Sequence, residues 1–339
     1  MNMHSDTQIQ YHAPWHDLQW VCVGAAYSPD FFQPVKNTAV RQALQKIAAE
    51  TCEDFDNLIT VLESLGVKVS QVKIDSSATI MDYVDHQGRL DYSHSQSFNL
   101  IPRPPMQPRD SVLIVGHQVL LTNNESKWFT DLCPNYPTVR SQIDFDAPLV
   151  TVVGDRLIAD CRDHSNLAQF LQQRFDKHVV VPVLIGGHND AVFSIVKPGV
   201  IVSTYHHTNY RDTFPGWEVK FIENQSWNAV SAWRTLKHSN KIKWWVPDSY
   251  HSEEFAHFVD TWLNNWVGYV AETVFDVNML QINDRCVLVN NYNRELFEFL
   301  QQHRIEPIVV PFRHRFFWDG GLHCVTNDLY REGKNDCYF

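Results

Sequence analysis

Long apolar runs are missing from this chain: no stretch approaches the roughly twenty consecutive apolar residues that a helix needs to cross a bilayer, so nothing reads as a membrane span. The opening MNMHSDTQIQYHAPWHDLQW lacks the basic-then-apolar order of a secretory leader, and a cytoplasmic protein is the expectation. Positive charge is also short. Lys and Arg number 28 against 39 Asp and Glu, a net charge of −11 that repels phosphate backbones, so nucleic acid is not an expected partner. Cysteines are few and unpaired in pattern: Cys22, Cys52, Cys133, Cys161, Cys286, Cys324 and Cys337 are odd in number, widely spaced and without a CxxC. That excludes a disulfide framework or a zinc ribbon and leaves reduced thiols, most of them buried fillers, with room for one nucleophile. Glycine and proline, 13 and 16 of 339 residues, are too sparse for collagen-like or low-complexity chains, and with 44% hydrophobic residues the sequence should build a sizeable core.

What the chain does have is a recurring local pattern. Apolar, β-branched runs flank a turn in VLIVGHQVLLT from Val112, LVTVVGDRLIA from Leu149, VFSIVKPGVIVS from Val192 and MLQINDRCVLVN from Met279. The breaks at GH, GD, PG and ND are hairpin signals, because those residues tolerate the backbone angles of tight turns. After Leu149 and after Met279 a helix candidate and a third strand follow, HSNLAQFLQQRF with HVVVPVLI and NRELFEFLQQHR with EPIVVPF. An N-terminal copy, WVCVGAAYS, a long helix and GVKVSQVKI, fits more loosely. Five hairpin–helix–strand modules about forty residues apart predict an array of like units, either closed as a ring of five α/β modules about a pseudo-fivefold axis or left as an open α/β sandwich. The expected organisation is an N-terminal tail over residues 1–17 and one domain over 18–339, with excursions at about 76–109 and 224–269. The second excursion carries Phe255, Phe258, Trp262 and Trp266 on one helical face, a pattern of core packing more than of a lid.

If the modules are equivalent, the positions just before each hairpin occupy matched places around one axis. They hold Asp110, Asp144 and Asp146, His188 and Asp190, and, near the C-terminus in FFWDGGLHCVTNDLY, Asp319, His323 and Cys324. Gathered in one pocket, these carboxylates would raise one another's pKa unless they held a cation. A guanidinium is the best geometric match, since two carboxylates can grip its planar fork of N–H donors while its central carbon faces a thiolate. Cys324, after a Gly-Gly turn, is placed for that nucleophilic role. His206, His207, His314 and His323 show no metal-ligand spacing, and neither metal nor other cofactor is expected.

The segments FDAPLVTVVGDRLIADCRDHSN, GGHNDAVFSIVKPGVIVS, MLQINDRCVLVNN and above all GGLHCVTNDLYREG resemble the glycine amidinotransferase branch of the guanidine-modifying (pentein) superfamily, from about Val21 to Gly333. The resemblance implies the five-bladed α/β propeller. It implies Cys324 as nucleophile and His188 as general acid and base. Asp146 would be hydrogen-bonded to His188, with Asp144 left open as its substitute, and Asp110 and Asp190 would grip the donor guanidinium. The activity implied is transfer of an amidino group from a guanidino donor, arginine or a related compound, to an amine through an amidino-Cys324 intermediate. The runner-up is a deiminase- or dihydrolase-type hydrolase using the same residues, and a catalytically silent binding protein is a third reading. The partners are therefore small molecules, and a homodimer is left open.

Two departures bear on the substrate. His207 stands where the family has an arginine that pairs with the donor's carboxylate, and Ala271 and Glu272 fall near a pair of serines that hold the donor's amino-acid end. His207 and Glu272 are accordingly the substrate-contact candidates, and they turn the expectation toward a donor without the usual carboxylate, unless Arg211 supplies the missing charge.

Overall fold

The computed structural model describes residues 8–82, 101–205, 207–222, 252–263, 266–267 and 274–339. Its organising feature is five three-stranded sheets. β3 (Val112–Val115), β4 (Gln118–Leu121) and β5 (Thr138–Arg140) form one, and β6 (Val150–Val153), β7 (Arg156–Asp160) and β8 (Val179–Val183) the next. β9 (Phe193–Lys197), β10 (Val200–Ser203) and β11 (Glu218–Phe221) follow, then β12 (Leu280–Asn283), β13 (Cys286–Val289) and β14 (Glu306–Val309). In each, the first two strands are an antiparallel hairpin and the third lies parallel to the second. A parallel return cannot be made by a tight turn, so each needs a crossover. In two sheets that crossover contains the helices expected from apolar spacing, Leu167–Arg174 and Arg294–Gln302. Asn293 caps the second by accepting from the Leu296 amide at 3.1 Å. Gly116 and Gly154 sit in two of the hairpin turns with φ of 58° and 59°, a conformation that side chains with a Cβ rarely adopt.

The fifth sheet differs in origin. β1 (Asp17–Val23) pairs antiparallel with β15 (Thr326–Glu332), from Asp17 opposite Glu332 to Val23 opposite Thr326, and parallel with β2 (Lys68–Gln71). The loosely fitting N-terminal copy thus lacks its first strand because the far end of the chain supplies it. The intervening helix, Thr38–Ser64, buries Leu44, Ile47, Phe55, Leu58 and Leu62 along one face, each worth about 1.5–3 kcal/mol of apolar burial. The stretch ahead of β1, expected as a tail, is bound in from its first described residues. Ile9, Ala13 and Trp15 are buried, and the Tyr11 and Gly116 backbones exchange hydrogen bonds.

Of the first excursion, residues 83–100 lie outside the described residues, while Pro105 and Met106 lie against Gly24 and Ala25, just past β1. Ala25 N donates to Pro105 O at 3.1 Å, and a Cβ added to Gly24 would lie 1.9 Å from Met106 O. Of the second, residues 223–251 lie outside the description, but the aromatic helix is present as Glu253–Trp262. It joins the largest core cluster: Phe255 and Trp266 are buried, and Trp266 stacks on Trp318 with ring centres 5.7 Å apart and donates to Ile101 O at 2.8 Å. These are core contacts, as the stripe of aromatics suggested.

Candidate active site

Each first strand of a sheet is entered through a short turn, and each turn delivers one or two side chains that carry chemistry. Short 3-10 turns at Pro108–Ser111, Ala147–Leu149 and Asn189–Ala191 precede β3, β6 and β9 and bring Asp110, Asp146 and the pair His188 and Asp190. Asn278 stands two residues before β12, and Cys324 two residues before β15.

Cys324 is buried, its Sγ 3.5 Å from Asp190 Oδ2 and 3.0 Å from Asn278 Nδ2, which donates to it. Asn278 Oδ1 accepts from the amides of His323 at 3.0 Å and Cys324 at 3.2 Å, so one amide side chain fixes both the backbone and the sulfur of the Cys324 turn. Asn290 braces it, donating to Asn278 O at 3.0 Å and accepting from Leu322 N at 3.1 Å. The glycines before Cys324 are there for room. A Cβ on Gly321 would meet Asn278 Oδ1 at 2.7 Å, and one on Gly320 would meet Gln107 Nε2 at 2.3 Å. Asp319 adopts a left-handed φ of 53° at the start of this turn.

On the other side, His188 Nε2 lies 3.2 Å from Asp146 Oδ2, and its Nδ1 lies 4.0 Å from Asp110 Oδ1. Asn123 ties the two carboxylate turns together, donating to Asp146 Oδ1 at 3.3 Å and to Asp110 O at 3.2 Å. Asp110 Oδ1 and Asp190 Oδ1 are both buried without a hydrogen-bond partner among the described residues, acceptors of the kind that a bound donor group would satisfy. A cleft of about 590 Å³ opens beside Asp110 and Asp146, walled by Trp128, Phe145 and Pro104 among others.

The charges are coupled. Burial pushes Asp110 up to about 7, and neighbouring Asp146 and Asp190 add to it against the pull of His188. Burial works against the imidazolium of His188, but the Asp146 hydrogen bond and the charges of Asp110 and Asp190 outweigh it and hold its pKa at about 10. Asp190 is also penalised by burial, yet the His323 hydrogen bond and the charges of His188 and Arg109 bring it below the ordinary carboxylate range. Burial, then the charges of Asp190 and Asp110, push the Cys324 thiol well above its ordinary value. A cation placed among these carboxylates would reverse that last effect.

The structure therefore brings together Cys324, Asp190, Asp110, His188 and Asp146. Asp144, the substitute for Asp146, also lines the cleft, but the His188 hydrogen bond goes to Asp146. His207 is buried elsewhere, its Nε2 3.3 Å from Thr213 Oγ1 and its ring edge-on to Tyr210. Burial pushes its pKa down, toward the neutral form that does not pair ionically with a carboxylate. Glu272, with Ala271, lies outside the described residues. Among the described residues no cluster of His, Cys, Asp and Glu has metal-binding geometry.

Asn278 escaped the sequence reading although it holds the same pre-hairpin place as the other site residues. The signal was its position, one residue before Met279 in NMLQIN, but a neutral amide does not stand out among charges. Arg109 escaped too: its Nε donates to His323 O at 2.8 Å and its guanidinium pairs with buried Asp328 at 2.9 Å.

A buried thiol, an imidazole held by a carboxylate, and further carboxylates are thus delivered by like turns of like sheets. No family model matches the chain. Part of it is similar to curated amidinotransferases: 23% identity over 153 residues with the mitochondrial glycine amidinotransferase of Xenopus laevis, and 29% over 70 residues with the L-arginine:L-lysine amidinotransferase of Pseudomonas savastanoi pv. phaseolicola. The first match covers 45% of this chain but only 28% of that relative. Solved structures are alike over nearly the full length. SxtG, an amidinotransferase of Microseira wollei, matches with a TM-score of 0.69 and 16% identity over 98% of this chain and 99% of its own. The inosamine-phosphate amidinotransferase of Streptomyces griseus matches with 0.69 and 17% over 97% and 99%. The agmatine deiminase of C. jejuni, a hydrolase-type neighbour, matches with 0.57 and 11% over 96% and 97%. At such identities the structural likeness is one of fold. The fold is that of the amidinotransferase/pentein structures, and part of the sequence is similar to curated amidinotransferases.

Proposed function

We propose that the chain is an amidinotransferase, taking an amidino group from a guanidino donor, holding it on Cys324 Sγ and passing it to an amine. The five sheets are read as blades of a closed ring, which turns their entry turns toward one centre. The observation that carries the proposal is the sulfur 3.5 Å from Asp190, with partnerless buried oxygens on both Asp190 and Asp110.

The donor's N–H groups fill those acceptors, and its charge offsets the carboxylates that hold the thiol protonated. Sγ bonds to the central carbon as the C–N bond to the leaving amine breaks. His188, held as imidazolium by Asp146, protonates the leaving nitrogen, and the proton released by the thiol restores the imidazolium. Guanidinium and thiol thus become S-amidino-cysteine and free amine with no net change in protons. An acceptor amine runs the same steps backwards. The transferase-named structures at the higher TM-scores support the amine as acceptor, while water in its place would make the enzyme a hydrolase.

The test is to incubate the protein with guanidino compounds, look for an amidino adduct by intact mass, and locate it by peptide mapping. Chasing with amines or with buffer alone then separates the outcomes. An adduct on Cys324 released only by an amine is expected; rapid release in buffer would make the enzyme a hydrolase, and no adduct from any donor would leave a binding protein.

A further inference from the structure

The residue before the nucleophile is not used by the steps above, yet it makes the shortest polar contact to the guanidinium grip. His323 Nδ1 lies 2.8 Å from Asp190 Oδ2, the same oxygen that faces Cys324 Sγ at 3.5 Å. The His323 ring is mostly buried, and behind it stands Arg109, anchored to the His323 carbonyl at 2.8 Å and to Asp328 at 2.9 Å. Asp328 in turn receives the fully buried Arg331 at 2.9 Å. A chain of buried polar contacts therefore runs from Arg331 through Asp328, Arg109 and His323 to the carboxylate beside the sulfur.

We infer that His323 is a positioning residue of the guanidinium site: as a neutral imidazole it donates Nδ1–H to Asp190 Oδ2, so that Oδ1 is the oxygen left for the substrate cation. The inference rests on the function proposed above and adds a residue to it. The groups facing the His323–Asp190 pair are Arg109, Asp328, Cys324, His188 and Asp110. Arg109 is a fixed cation, and it opposes a second positive charge on His323. Burial, with Arg109 next, pushes the His323 imidazole away from its charged form despite the attraction of Asp190 and Asp328. A neutral ring has one N–H, and the 2.8 Å contact with a carboxylate oxygen assigns it to Nδ1. Asp190 Oδ2 then has two donors, the imidazole and the thiol, and without the imidazole it would hold the thiol proton more tightly.

Three variants separate positioning from bulk. Asn places an amide N–H near the Nδ1 position, Gln keeps polarity and size but carries its donor one bond further, and Ala removes both. The probes are 2-chloroacetamidine, an alkylating cation, and iodoacetamide, its neutral counterpart, with Cys324 modification followed by intact mass across pH and each variant's melting temperature recorded alongside. The expected result is that wild-type protein and His323→Asn prefer the cationic reagent to within about threefold of each other. His323→Ala and His323→Gln should lose at least tenfold of that preference, and the pH midpoint for the neutral reagent should move up. Equal behaviour of Asn and Ala, or an unchanged preference and midpoint in Ala, overturns the inference. A wild-type protein with no cationic preference, but whose neutral midpoint still moves up in Ala and Gln and returns in Asn, supports the positioning role and counts against the guanidine reading instead.

Discussion

At the scale of single residues, the site works by placing charges that are unfavourable until a cation joins them. Cys324→Ala removes the sulfur and should abolish the adduct and lower any turnover by on the order of a thousandfold or more, measured with the donor that labels the wild type. Asp110 gives a pH test with a definite sign. Its folded pKa, raised to about 7, means that it ionises later than an ordinary carboxyl, and only the ionised form attracts a guanidinium. Affinity for a cationic ligand should rise about tenfold from about pH 6 to 8, as the ionised fraction climbs through that midpoint. Calorimetric titration with a guanidinium compound measures it, and an unchanged affinity across that range would count against Asp110 as a grip. In Asp110→Asn the rise should vanish. The carboxylates, the imidazole and the sulfur were legible in the sequence because ionisable groups are rare at the mouths of apolar hairpins. The pairing of His188 with Asp146 came only through the resemblance, with Asp144 left open as the substitute; the choice between them rests on a 3.2 Å contact between side chains 42 positions apart.

At the scale of elements, the four internal hairpins were legible because continuous apolar, β-branched runs broken by turn residues are local signals. The fifth sheet was only half legible, since its first and second strands lie at opposite ends of the chain and no local pattern records their pairing. Asn278 was missed for a related reason: its role belongs to the turn into β12, which must hold the turn into β15. Removing it in Asn278→Ala leaves two backbone amides without their acceptor and the sulfur without its donor. The expected cost is about 1–3 kcal/mol in chemical denaturation, with a Cys324 thiol still harder to ionise. The second effect, read as an upward shift in the pH midpoint of iodoacetamide labelling, tells a site role from plain destabilisation. Gly321→Ala attacks the same joint by bulk, forcing a methyl to within 2.7 Å of Asn278 Oδ1. Overpacking of this kind costs about 1–3 kcal/mol, and labelling of Cys324 should slow as its turn is displaced. A variant as stable and as reactive as wild type would mean that the turn relaxes freely.

At the scale of the whole molecule, Cys324 is set in place by how the last strand is joined to the first. β15 carries Cys324 at its entrance and pairs with β1, and Arg331 is the joint's most committed side chain. It is fully buried, paired through Nε with Asp328 at 2.9 Å, and donates to His16 O at 2.6 Å and Gln281 O at 2.5 Å. One guanidinium thus links the N-terminal stretch, β15 and the sheet of β12. Burial alone would favour a protonated Asp328, but Arg109 and Arg331 hold its pKa well below the ordinary carboxylate range. Arg331→Met fills similar space yet leaves Asp328 with one cation in place of two and two carbonyls without donors. Breaking a buried pair in this way costs about 3–5 kcal/mol, which urea unfolding would register as a large fall in midpoint. Because Asp328 also anchors Arg109, which holds the His323 carbonyl, the loss should reach the site, slowing amidinium alkylation of Cys324 under conditions where the variant is still folded. A change below about 1 kcal/mol, within the range of surface ion pairs, would show that strand pairing and apolar packing alone close the two ends, and that the buried guanidinium is incidental to the joint.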